Sequence, residues 1–94
     1  MSEEAPEAER FLALVTSAQE NDPALTPLQA AILVAAELTI ALDSRSFARI
    51  VGVEHSLALR ELNALAERGD KVTIVKRDPR TLRTFYKRVA AGMP

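Results

Sequence analysis

Lysine and arginine crowd the last stretch of the chain. Lys71, Lys76, Arg77, Arg80, Arg83, Lys87 and Arg88 stand in residues 70–94 against Asp70 and Asp78 alone. Cations at this density neutralise phosphates and release the counterions condensed on them, so they point to a nucleic-acid backbone rather than to catalysis. Arg80, inside the turn sequence Asp78-Pro79-Arg80-Thr81, is the candidate for a minor groove, because narrow grooves attract arginine. Lys76, Arg77 and Arg83 around it are candidates for holding phosphates. A second group, His55, Ser56, Arg60 and Asn63, falls on one predicted helix. Arg60 can grip guanine and Asn63 adenine, each through paired hydrogen bonds. A third group, Ser44, Arg45, Ser46 and Arg49, lies at the start and on the outer face of a short predicted helix, where phosphates are commonly held. Ser44 can cap that helix at the same time. The plainer alternatives are a solvated hairpin edge and an ordinary solvated helix face.

No catalytic constellation accompanies these residues. The chain has one histidine and no cysteine, which excludes a disulfide scaffold, thiol chemistry and a structural zinc site of the usual donors. His55 has no second histidine or clustered carboxylates to work with as a base or metal ligand. Neither a phosphate-binding glycine loop, a carboxylate pair nor a triad is visible, so no enzyme activity, metal or cofactor is expected. No small-molecule effector is identifiable.

The bulk numbers describe one globular domain of 94 residues, with 48% hydrophobic and 27% charged residues. The net charge of −1 conceals a division. Residues 1–69 carry five arginines and eleven carboxylates, a net of −6, while residues 70–94 carry a net of +5. The basic end is where the partner is sought. No basic stretch precedes an apolar segment, so no secretory signal is expected. The run Leu28 to Leu42 is interrupted by Gln29, Glu37 and Thr39 and is shorter than the ~20 residues a bilayer needs. It reads as a buried helix, and a cytoplasmic location is expected.

These groups require elements to position them. An acidic tail over residues 1–5 precedes a helix over 6–20, with Pro6 in its first turn and Phe11, Leu14, Val15 and Ala18 at helical spacing. Thr26-Pro27-Leu28-Gln29 is a capping box that starts a core helix over 26–42. Asp43 and Ser44 can cap a third helix ending at Gly52, with Phe47, Ala48 and Val51 inward; a fourth runs to Arg68 with Ala58, Leu62 and Leu65 as its inner stripe. Residues 44–68 thus form two helices joined by a tight turn. The β-rich runs Val72 to Lys76 and Leu82 to Val89 flank the Asp78-Pro79 turn and predict a hairpin over 70–89. The expected class is mostly α with a small β-hairpin.

Phe47-Ala48-Arg49-Ile50-Val51-Gly52-Val53 resembles the turn of bacterial helix-turn-helix proteins. The spacing onward to Arg68-Gly69, and Asp78-Pro79-Arg80 in the hairpin, are similar to the MarR family of winged-helix regulators, the latter matching its Asp-x-Arg wing motif. The resemblance spans about residues 26–89. It implies a winged helix-turn-helix, a three-helix core plus wing, here with an extra N-terminal helix. It also implies sequence-specific binding of double-stranded DNA by a small dimeric bacterial transcriptional regulator, the wing arginine entering the minor groove with the aspartate steadying it. Glu54 stands where a Ser, Thr or Asp cap is usual, and Glu61 where an apolar residue is common. Leu57 and Leu59 either complete the core or form a patch for a protein partner. Two alternatives therefore stay open: a winged-helix protein-interaction module in a larger assembly, and a plasmid or phage replication or partition protein. The first helix and the strongly apolar second helix carry the expectation of a homodimer.

Overall fold

Residues 7–89 are described by a computed structural model. The tail expected over 1–5, and Pro6, lie outside them. Four helices precede a two-stranded antiparallel hairpin: α1 (Glu7–Asn21), α2 (Pro27–Glu37), α3 (Ser44–Val51), α4 (His55–Arg68), β1 (Val72–Arg77) and β2 (Thr84–Arg88). The order is the one the sequence predicts. Among the described residues no helix is long and apolar enough to cross a membrane.

Helix α2 is the centre. Thr26 Oγ1 accepts from Gln29 N at 3.1 Å and the Gln29 side chain accepts from Thr26 N, completing the capping box. Gln29 through Ala36 are all buried, because α1, α4 and β2 pack around the helix. Phe47 of α3, Leu62 and Leu65 of α4 and Val72 of β1 fill the space beside Ile32. Burying side chains of this size contributes about 1.5–3 kcal/mol each.

The core helix expected to reach Leu42 stops at Glu37. Leu38 caps it, Thr39 turns left-handed at φ 58°, and Ile40 N and Ala41 N both donate to Ala35 O. The reason is tertiary. Leu42 O accepts from Tyr86 N at 3.1 Å, and Asp43 forms a bridge with Phe85, so residues 41–43 must run extended along β2. Local propensity favoured continuing the helix; the edge of the hairpin claimed the backbone instead.

Two further turns need glycine. Gly52 ends α3 at φ 82° and Gly69 ends α4 at φ 78°. In the hairpin, Val72 pairs with Arg88 and Ile74 with Tyr86, but a bulge at Val75 shifts the register so that Lys76 faces Phe85 and Arg77 faces Thr84. Simple alternation from Val72 and Ile74 would carry Lys76 to the helix side. The extra residue sends Arg77 there and turns Lys76 outward.

Thr39 is a β-branched residue in a conformation that costs most residues about 1–2 kcal/mol. Replacing it with glycine, Thr39→Gly, is expected to stabilise the fold by about 0.5–1 kcal/mol after the loss of unfolded-state restriction. Thermal denaturation followed by circular dichroism should show a melting temperature raised by a few degrees; a lower value would mean that Thr39 makes a compensating contact.

Candidate nucleic-acid interface

Helix α4 presents Ser56, Arg60, Ala64 and Glu67 to solvent on the side away from buried Ala58, Leu62 and Leu65, with half-buried Asn63 at the margin. Arg60 extends freely, its side chain 75% exposed and only 3.9 Å from the Glu61 carboxylate. Asn63 is already engaged: its Oδ1 accepts from Arg77 at 2.9 Å. Arg77 also donates to Thr84 Oγ1 at 3.1 Å, so its guanidinium ties the hairpin to the outer margin of α4. Glu67 carries a carboxylate one turn beyond Asn63, which restricts any phosphate-facing surface to the first two turns of the helix.

Behind this face lies a seam of polar groups. Ser44, expected at an accessible helix start, is 1% exposed, and its hydroxyl is turned inward. Ser44 Oγ accepts from Thr84 N at 2.9 Å and lies 2.8 Å from His55 Nε2. The cap of α3 is Asp43, whose Oδ2 accepts from Ser46 N and from Arg83 Nε at 2.9 and 2.8 Å. Burial alone would raise the Asp43 carboxyl. The Ser46 and Arg83 hydrogen bonds outweigh it and hold the group below the usual carboxylate range. Ser44 is therefore corrected from a surface contact to an internal hydrogen-bonding residue. Arg45 and Arg49 remain exposed on α3, while Ser46 is half-buried with its backbone N–H engaged.

The basic hairpin is less uniformly available than its composition suggests. Lys71 lies 3.9 Å from Asp22, Arg83 pairs with Asp43, and Arg88 pairs with Glu37. Among the described residues Lys76, Arg80 and Lys87 form no ion pair. Asp78 does not grip the Arg80 side chain as the resemblance implies. Its Oδ1 accepts from Arg80 N at 2.9 Å, and this contact, the largest influence on the group, keeps its carboxyl below the ordinary value. The aspartate steadies the turn, and the guanidinium is left exposed. Phe85 sits on the outer side of the hairpin with Lys76 Nζ and Arg83 Cζ each 5.7 Å from its ring centre.

Leu57 and Leu59 are half-buried, and neither joins the strongly exposed apolar side chains. Glu61 accepts from Thr26 Oγ1 at 2.9 Å, so the acid at an ordinarily apolar position fastens α4 to the start of α2. Glu54 precedes α4 without making a side-chain cap. Sequence reasoning read Asp43 as a possible cap of α3, as it is, but missed its pairing with Arg83, the roles of Thr84 and Phe85, and the contact of Glu61 with Thr26, since each of these acts through a partner distant in the chain. Among the described residues no cluster of three or more potential metal ligands occurs. Comparison of the chain with models of protein families, with curated proteins and with solved structures finds no match.

Burial pushes the His55 imidazole below its usual value, Arg45 and Arg83 add to the effect, and Asp43 opposes it. The neutral ring keeps its 2.8 Å hydrogen bond with Ser44 Oγ, whereas an imidazolium adds a charge beside Arg45 and Arg83. A depressed folded-state value means the unfolded chain takes up the proton first. Stability is therefore complete above about pH 6.5 and falls as the pH drops below it. Melting temperatures measured at pH 7.5 and 5.5 should differ more for the native chain than for His55→Gln; equal differences would remove His55 as the source.

Proposed function

We propose that the chain is a winged helix-turn-helix protein that binds double-stranded DNA, a small bacterial transcriptional regulator of the MarR-like kind acting as a homodimer. In this reading α3 and α4 form the helix-turn-helix. The first two turns of α4 enter the major groove, where Arg60 and Ser56 meet base edges. The hairpin is the wing, with Arg80 at the neighbouring minor groove and Lys76 toward phosphates. Arg45 and Arg49 of α3 touch the backbone beside them. Asn63 has a smaller part than its residue type suggests, because one lone pair of its carbonyl already serves Arg77.

The observation that carries the reading is the bridge from Arg77 to Asn63 and Thr84. It fastens helix to hairpin, so exposed Arg60 of α4 and the unpaired Lys76 and Arg80 of the hairpin address one duplex together. Preorganisation of this kind lowers the ordering cost of binding. Leu57 and Leu59 are half-buried and so offer a protein partner less apolar surface than their spacing on α4 suggests.

The homodimer rests on a separate surface. Leu12, Leu14, Leu38, Ile40 and Ile50 are all 43% or more exposed. They border two adjoining hollows that share Phe11 and Ile40 along α1. Apolar side chains gathered in this way mark an association surface. A two-fold dimer would present two reading heads to a palindromic site.

Two measurements test these statements. Fluorescence anisotropy with a labelled random duplex should show affinity falling steeply with salt. Lys76→Ala with Arg80→Ala should weaken binding to every duplex and reduce the salt slope by roughly one to two. Absence of binding at low salt overturns the reading. Light scattering should give twice the chain mass for the native protein and the single mass for Leu12→Glu with Ile50→Glu; a native monomer removes the dimer.

A further inference from the structure

The hairpin ends in a conformation that its residue type resists. Asp78 N donates to Arg83 O at 2.9 Å and Leu82 N donates to Asp78 O at 2.7 Å, so residues 79–82 reverse the chain in four positions. Closing the turn places Leu82 at φ 64°. There a Cβ crowds the following carbonyl, and glycine or asparagine is the ordinary occupant. Thr84 Oγ1 donates to Leu82 O at 3.0 Å, holding the strained residue in place.

Burial does not compensate for the strain, since the Leu82 side chain is 57% exposed. Glycine would relieve the backbone, and asparagine would relieve it while suiting water better. Among the described residues Leu82 belongs neither to the core nor to the apolar side chains packed against it, so core packing does not account for leucine here. Strain kept at an exposed tip is the kind that accompanies a task outside the molecule.

The surroundings indicate which task. Arg80 lies two residues before Leu82 and Arg83 directly after it, with Lys76 and Arg83 over the Phe85 ring. An apolar tip among cations fits a narrow slot that is anionic at its rims and apolar between stacked bases. A protein interface needs a broader apolar area. Among the described residues Val75 is the only other strongly exposed large apolar side chain of the hairpin.

We infer that Leu82 is an apolar wedge that enters the minor groove beside Arg80, partly opens a base step and bends the duplex. This rests on the duplex-binding reading given above. Arg80 supplies attraction to the groove, and Leu82 supplies deformation. Sequence preference then arises from how easily a step unstacks, pyrimidine–purine steps most readily.

The test compares the native protein, Leu82→Gly, Leu82→Asn and Leu82→Met. Each is titrated against a short A·T-rich duplex containing a central TA step and carrying a fluorescent donor and acceptor at its ends. The native protein and Leu82→Met should bind and raise energy transfer, reporting a bend of roughly 20° or more. Leu82→Gly and Leu82→Asn should melt at the same or higher temperature, keep the salt slope, bind roughly tenfold more weakly and lose the bend. Asparagine guards against a merely loosened glycine loop, because it favours the same turn. Bending and affinity equal to native in both variants overturn the wedge while leaving duplex binding intact. A native protein that binds no duplex at any salt overturns both, and the native titration alone reveals that case.

Discussion

The Ser44 hydroxyl joins the three elements from which the candidate interface is built. It belongs to the first turn of α3, accepts from the Thr84 backbone at the start of β2, and shares a hydrogen bond with His55 at the start of α4. At 1% exposure it is out of reach of competing water. A buried hydroxyl of this kind contributes little net stability when paired but is expensive to leave unpaired. Its effect is directional: it sets the register in which the hairpin meets both helices. Asp43, one residue earlier, reinforces the same seam by capping α3 and holding Arg83. The hairpin is thereby joined to the helices through hydrogen-bonded groups as well as through Val72 and Tyr86 in the core.

This seam divides the basic residues into two populations. Arg77, Arg83 and Arg88 turn their guanidinium groups onto Asn63, Asp43 and Glu37 and position the hairpin. Lys76 and Arg80 keep their charge in water and are available to an anionic partner. The bulge at Val75 decides which of the neighbours Lys76 and Arg77 takes which part. Counting charges over the segment therefore overstates the field a partner would meet, while the arrangement of the remaining cations makes that field directional.

Among the described residues two that are not glycine take a left-handed backbone, Thr39 and Leu82, and they differ in what explains it. Thr39 turns left-handed where the chain leaves α2 to reach the hairpin edge, with a use that is visible inside the fold. Leu82 does so at the exposed tip, where burial among the described residues does not compensate for it. The two share a backbone geometry and differ in whether a partner within the chain explains it.

The sequence by itself determined the order and type of the elements. Capping at Thr26, glycine at 52 and 69, and the inner stripe of Ala58, Leu62 and Leu65 are local signals, and local hydrogen bonding and periodicity act on them directly. It also located the basic end and the exposed stretch of α4 containing Ser56 and Arg60. What it left open depended on residues far apart in the chain. The end of α2 at Glu37 follows from Leu42 pairing with Tyr86, the burial of Ser44 from Thr84, and the engagement of Asn63 from Arg77. Glu61 looked out of place until Thr26 stood opposite it. Each of these outcomes is a competition between local preference and a tertiary hydrogen bond. Only the folded chain brings the second contender within reach.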